Sequence, residues 1–241
     1  MEAYRILIVF SLFLTAMSCE NESYDSGTGE YSLMTGDLVE AYTNGEGYIE
    51  SFITDDGIEY TLTEQISASW ASKPDSSYRA LLYYNLVDDG SGITHYTDGW
   101  AEAVSISEIP VLSIITLDSL TETATDPVDL ESIWMGKNGN YLNLSMYLKI
   151  GESDSSLAYH TIGMVRDSAI INADNTITLC LTFYHDQGEM PEYYSQKYYM
   201  SIRSSDLIPY TFRPSVKADS VRITINTYDG EVVKTIESNA L

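Results

Sequence analysis

An all-β protein built as two bodies is the fold class the sequence predicts, and three observations predict it. Apolar and polar residues alternate with a period of two through nearly every patterned stretch from residue 32 onward. Pairs such as Asn44-Gly45, Asp56-Gly57, Asp98-Gly99, Asn138-Gly139 and Asp229-Gly230 fall at or near the junctions, where glycine supplies the positive φ that tight turns need. The alternation lapses in mid-chain, at "SLTETATDP" (119–127), and the boundary between the bodies is expected there.

The chain starts with something other than a strand. Met1–Arg5 is short and polar, Ile6–Leu14 is almost wholly apolar, and Ala16-Met17-Ser18 leads into Cys19. Residues 1–18 therefore read as a secretory signal, because the apolar run is far short of the ~20 residues a membrane-spanning helix needs. A small residue directly before a cysteine at the end of such a run resembles the lipobox of bacterial lipoproteins. Cys19 is accordingly expected to be the lipid attachment point, with no redox or catalytic role. Residues 20–30, "ENESYDSGTGE", hold four acids and no base. With Cys19 they are expected to form a flexible acidic tether (19–30) reaching roughly 17–20 Å. Acids directly behind the cysteine resemble the surface-export signal of some Gram-negative lipoproteins. The expected address is thus the outer membrane, on its periplasmic face or, favoured by those acids, the cell surface.

Between residues 31 and 125 five strands are expected: 32–43, 47–54, 58–64, 78–87 and 100–109, with a helix-sized insert, "EQISASWASKPD" (64–75), between the third and fourth. One long strand, two more, an insert, then two strands is the order of a five-stranded OB-type barrel. From 126 to 241 about seven further strands are expected, in "LESIWM", "YLNLSMYLKI", "LAYHTIGMV", "TITLCLTFYH", "YYSQKYYMSI", "VRITINTY" and "VVKTIES". That number at that spacing suggests a β-sandwich.

Charge excludes whole classes of partner. The net charge is −24, divided as −4 in the tether, −14 in residues 31–125 and −6 beyond. Nucleic-acid binding needs cations to neutralise phosphates, so no nucleic-acid partner is expected. Attraction to anionic lipid heads is opposed too, which leaves the lipid at Cys19 as the one expected link to the membrane. Cys180 is the other cysteine; in "TITLCLTFY" it reads as a core residue.

No Gly-x-Ser-x-Gly elbow, His-Glu-x-x-His, phosphate-cradling glycine loop or calcium-loop spacing occurs, so neither an enzyme nor a cofactor or metal is expected. One loop, "YHDQGEMPEYY" (184–194), gathers ligand-type residues: His185, Asp186, Glu189 and Glu192. It reads as a polar loop whose His and Asp tie down a turn, with a metal or general-base site as the rival. On an OB-type barrel the ligand groove lies over the second and third strands and adjoining loops. That places Tyr42, Asn44, Tyr48, Asp88, Asp89, His95 and Trp100 as candidate binding residues. Twenty tyrosines, with doublets such as Tyr83-Tyr84 and Tyr193-Tyr194, suit half-buried strands and contact surfaces alike.

"TGDLVEAYTN", "SFITDDGIEYTL", "RALLYYNLV", "GITHYTDGWAEAVSI", "DPVDLESIWMGKNGNYLNL" and "VRITINTYDGEVVKT" together resemble the NigD-like lipoproteins. The likeness implies an N-terminal OB domain, a C-terminal β-sandwich and an envelope location, and it carries no catalytic residue. Two functional expectations follow: capture of a basic protein or peptide by the acidic barrel, or capture of a glycan with tyrosines and Trp100 as stacking platforms.

Overall fold

A computed structural model describes residues 34–87, 99–116, 124–209 and 216–237. Cys19 and the tether lie outside the described residues, as do Asp88, Asp89 and His95. The described residues from Thr35 onward form one compact unit.

The expected all-β class holds, with a closed barrel first. Strands β1 (Thr35–Thr43), β2 (Ile49–Thr54), β3 (Glu59–Ile66), β4 (Ser77–Leu86) and β5 (Gly99–Glu108) close in the order β1-β2-β3-β5-β4. Only the β3–β5 seam is parallel. The period-two pattern works as read: Val39 and Ala41 of β1, Phe52 of β2, Tyr60 and Leu62 of β3, and Ala80, Leu82 and Tyr84 of β4 all point inward and are buried. Phe52, Tyr60 and Tyr84 pack as an aromatic trio with centroids 4.9–5.7 Å apart. The Tyr84 hydroxyl donates to Asp37 (2.8 Å), which satisfies that buried group.

The insert between β3 and β4 holds no helix. Its turns are fixed instead by side chain to backbone bonds. Thr43 Oγ1 donates to the Lys73 carbonyl (2.6 Å), and the Lys73 N–H donates to the Tyr78 hydroxyl (3.0 Å). Ala71 is buried, and Trp70 stands edge-on to Tyr78. Ser72, Pro74 and Asp75 compete with helical bonding, and Pro74 cannot supply an amide donor.

Among the described residues eight strands make the sandwich: β6 (Ile114–Thr116), β7 (Asp129–Met135), β8 (Tyr141–Ile150), β9 (Thr161–Ile171), β10 (Ile177–Asp186), β11 (Tyr194–Arg203), β12 (Ser220–Thr227) and β13 (Gly230–Glu237). One sheet runs β13-β12-β10-β9-β6 and the other β11-β8-β7. Between them lie Leu142, Leu144, Met146 and Leu148 of β8 against Leu179, Leu181 and Phe183 of β10 and Val221, Ile223 and Ile225 of β12. Strand pairing puts the changeover from barrel to sandwich between Glu108 and Ile114, ahead of the boundary expected at 125/126. Ile114–Thr116 pairs in parallel with Met164–Arg166 of β9. An apolar triplet has no preferred sheet of its own; the neighbour that accepts its hydrogen bonds decides. Cys180 is also placed differently from expectation. Leu179 and Leu181 take the core side of β10, so Cys180 falls on the opposite face and is half-buried.

A polar joint ties barrel to sandwich. Arg79 of β4 points outward from the barrel yet is only 3% exposed, because β8 and β11 cover it. One terminal guanidinium nitrogen donates to Asp55 Oδ2 (2.7 Å) and Asn143 Oδ1 (2.9 Å), and Nε donates to Ser201 Oγ (3.1 Å). Asn143 Nδ2 donates back to Asp55 (2.7 Å), and the guanidinium lies 4.2 Å over the Tyr141 ring. Backbone bonds flank it, Leu112 N–H to Ser201 O and Asn138 N–H to Asp55 O, each 2.8 Å.

Candidate functional site

The barrel wall contains one continuous cross-strand row. Register pairs Tyr42 of β1 with Ser51 of β2, Ser51 with Thr61 of β3, and Thr61 with Trp100 of β5. Their chain neighbours Ala41, Phe52, Tyr60, Leu62 and Ala101 face the core, so all four row residues face outward. Three strand spacings, roughly 14 Å along the curved wall, separate Tyr42 from Trp100. Two small hydroxyl residues thus lie between two aromatic ends, and Trp100 is 57% exposed. The next row runs Glu40–Ile53–Glu59, which sets carboxylates alongside. Burial, then the charge of Glu40 and a hydrogen bond to it, push the Tyr42 hydroxyl up to about 12, so it stays a neutral donor.

Asn44 has a structural task next to this row. Its Oδ1 accepts the N–H groups of Glu46 (3.0 Å) and Tyr48 (3.1 Å), closing the β1–β2 turn and holding Tyr48 40% exposed. Gly47 in that turn has φ +82°, and a Cβ there would meet the Ser72 carbonyl oxygen at 2.5 Å, so only glycine fits. Tyr42, Asn44 and Tyr48 therefore cluster where β1 turns into β2, while Trp100 stands three strands round the closed wall. Among the described barrel residues eleven carboxylates face two bases, Lys73 and Arg79, and Arg79 is enclosed in the joint.

The His185 loop turns out to be internally tied. His185 is 1% exposed at the end of β10, facing His160 of the β8–β9 connection. Asp186 Oδ1 accepts the Gly188 N–H (2.8 Å), Glu189 accepts the Ser155 hydroxyl, and Glu192 accepts from the Gln187 amide (3.0 Å). Each acid turns to a different partner. Among the described residues no three His, Cys, Asp or Glu side chains gather in a way that could hold a metal. No helix among them is long and apolar enough to cross a membrane.

Residues 113–239 match the family model described as the NigD-like C-terminal β-sandwich domain. The chain belongs to the NigD-like family. The match begins one residue before β6, in agreement with the strand pairing. Similar solved structures include a NigD-like immunity protein from Bacteroides caccae, at 24% identity and TM-score 0.62, covering 83% of this chain and 91% of that one. A candidate toxin-related protein from Parabacteroides distasonis shares 18% identity, TM-score 0.60, with 86% and 95% covered. A candidate lipoprotein from Bacteroides fragilis shares 14% identity, TM-score 0.60, with 86% and 98% covered. At these identities the likeness is one of fold. No curated protein matches the chain.

Proposed function

We propose that this NigD-like chain is a non-enzymatic cell-envelope lipoprotein, anchored at Cys19, whose barrel (residues 31–125 in the sequence reading) binds a basic protein or peptide. The observation that carries the reading is the Tyr42–Ser51–Thr61–Trp100 row, bordered by Glu40 and Glu59 on a barrel with a single exposed base, Lys73, among its described residues. Aromatic ends supply contact area at low entropic cost, and the carboxylates steer and select a cationic partner. The Bacteroides caccae structure named for immunity fits a chain that shields its host from a cationic toxin, and the fold likeness to a candidate lipoprotein fits the anchor. An outer-membrane address rests on residues 14–30 alone.

Titration of the purified protein with a defined cationic peptide such as oligo-arginine tests the reading. Affinity should fall steeply as salt rises, since exposed charges are screened beyond about 10 Å at 0.1 M ionic strength. Binding that ignores ionic strength, or that survives both Tyr42→Ala and Trp100→Ala, counts against it. A second reading, surface glycan capture, is favoured by the exposed Trp100 beside two hydroxyls. Salt-independent binding on a glycan array that is lost in Trp100→Ala would select it instead.

A further inference from the structure

His160 and His185 lie 25 positions apart in the chain, yet their rings stack with centroids 5.0 Å apart and planes 25° from parallel. The outer nitrogen of each ring faces a main-chain carbonyl: His185 Nδ1 stands 3.0 Å from Asp126 O, and His160 Nε2 stands 3.1 Å from Lys149 O. A carbonyl can only accept, so both outer nitrogens carry protons. The inner nitrogens, His160 Nδ1 and His185 Nε2, are 2.8 Å apart. Two neutral rings in these tautomers would point lone pair at lone pair across that gap. One additional proton turns the clash into a charge-assisted hydrogen bond.

We propose that His160 and His185 form a single proton-binding site, an imidazole–imidazolium pair with three ring protons in all, which clamps the β8–β9 connection to the end of β10 and to the 124–126 segment. The clamp works over a bounded pH range. A fourth proton would put two cations in contact in a mostly buried place; loss of the third restores the lone-pair clash. Burial first, and the neighbouring His185 second, hold His160 below the usual histidine range, the direction the bar on double protonation requires. The charged groups around the pair already have partners. The Asp126 carboxylate accepts the Gln187 N–H, Asp186 accepts the Gly188 N–H, and Glu189 and Glu192 bond Ser155 and Gln187. The Lys149 ammonium lies over Tyr228 at 5.8 Å. What the clamp positions is an apolar end of the sandwich: Leu157, Tyr159 and Tyr193 are more than half exposed on the two connections it joins.

Nitrogen-15 NMR of the histidine rings in the purified protein, between about pH 5 and 8, tests this. Both outer nitrogens should stay protonated while the two inner nitrogens shift together as one coupled titration. In His160→Gln the coupled pattern should be gone. Amide exchange at Glu189 and Asp126 should be slowest where the pair holds one shared proton. Independent behaviour of the two wild-type rings, a coupled pattern that persists in His160→Gln, or flat amide protection across the range would each overturn the proposal. So would collapse of the coupled pattern on adding a chelator, which would mean a metal in place of the proton. The wild-type ring spectra decide the matter even if the variant fails to fold.

Discussion

Arg79 shows how much one side chain can organise. Its guanidinium meets Asp55, Asn143, Ser201 and the Tyr141 ring with almost no solvent contact. Truncating one partner of such a buried pair leaves the other charged and unmatched, so Arg79→Ala is expected to lower unfolding stability by about 3–5 kcal/mol in a denaturant titration. Arg79→Lys should recover little of that, because an ammonium cannot reproduce the guanidinium fork. His160 gives a pH signature. Its folded value lies below the ordinary 6.5, so the unfolded chain takes up the proton first as pH falls. On the acid side, where the His160–His185 pair would have to take its fourth proton, stability should be lost as pH falls from about 6.5 through the folded value, a decline that should vanish in His160→Gln. Sequence shows Arg79 only as one of two bases among the 16 acids of residues 31–125. It could not show that a second body would cover that side chain. Nor could spacing bring His160 to His185, because the antiparallel register of β9 and β10 does that.

At the scale of elements, β8 is the best test of packing. It is buried on both faces along most of its length, with Leu142, Leu144 and Met146 in the sandwich core and Tyr141 and Asn143 at the joint. Leu144→Ala should cost about 2–5 kcal/mol, with the midpoint moving and the denaturant slope unchanged. Gly188 carries the complementary risk. Its φ is +58°, and an added Cβ would lie 2.6 Å from the Leu157 carbonyl oxygen. Gly188→Ala should therefore speed amide exchange at Glu189, whose N–H donates to that carbonyl, while the core strands stay protected. Eleven of the twelve strands read from alternation form within three residues of their expected ends, since side-chain period and burial are one signal; the one read in "LAYHTIGMV" starts at Thr161 and runs on to Ile171. Alternation failed where it was weakest. The 64–75 insert has the length of a helix and the turn chemistry of a loop, and β6 is too short to declare its sheet.

For the whole molecule, charge and address matter more than any single contact. The barrel's outward row gathers Tyr42 and Trp100, two of the residues singled out from OB-type geometry, into one line, while Asp88, Asp89 and His95 lie outside the described residues. Trp100→Ala removes an exposed ring, so thermal stability should change little while affinity for a cationic peptide drops tenfold or more, as truncating an anchor worth about 2 kcal/mol implies. Both β bodies could be foreseen from composition and period; a partner could not, because an outward row across several strands has no sequence signature of its own. The claim beneath the rest is that a lipid at Cys19 displays an acidic barrel in the envelope. Intact mass spectrometry of the protein extracted from envelopes tests it most directly. The expected mass is that of residues 19–241 plus acyl groups; a chain still carrying residues 1–18, with an unmodified thiol at Cys19, would contradict it.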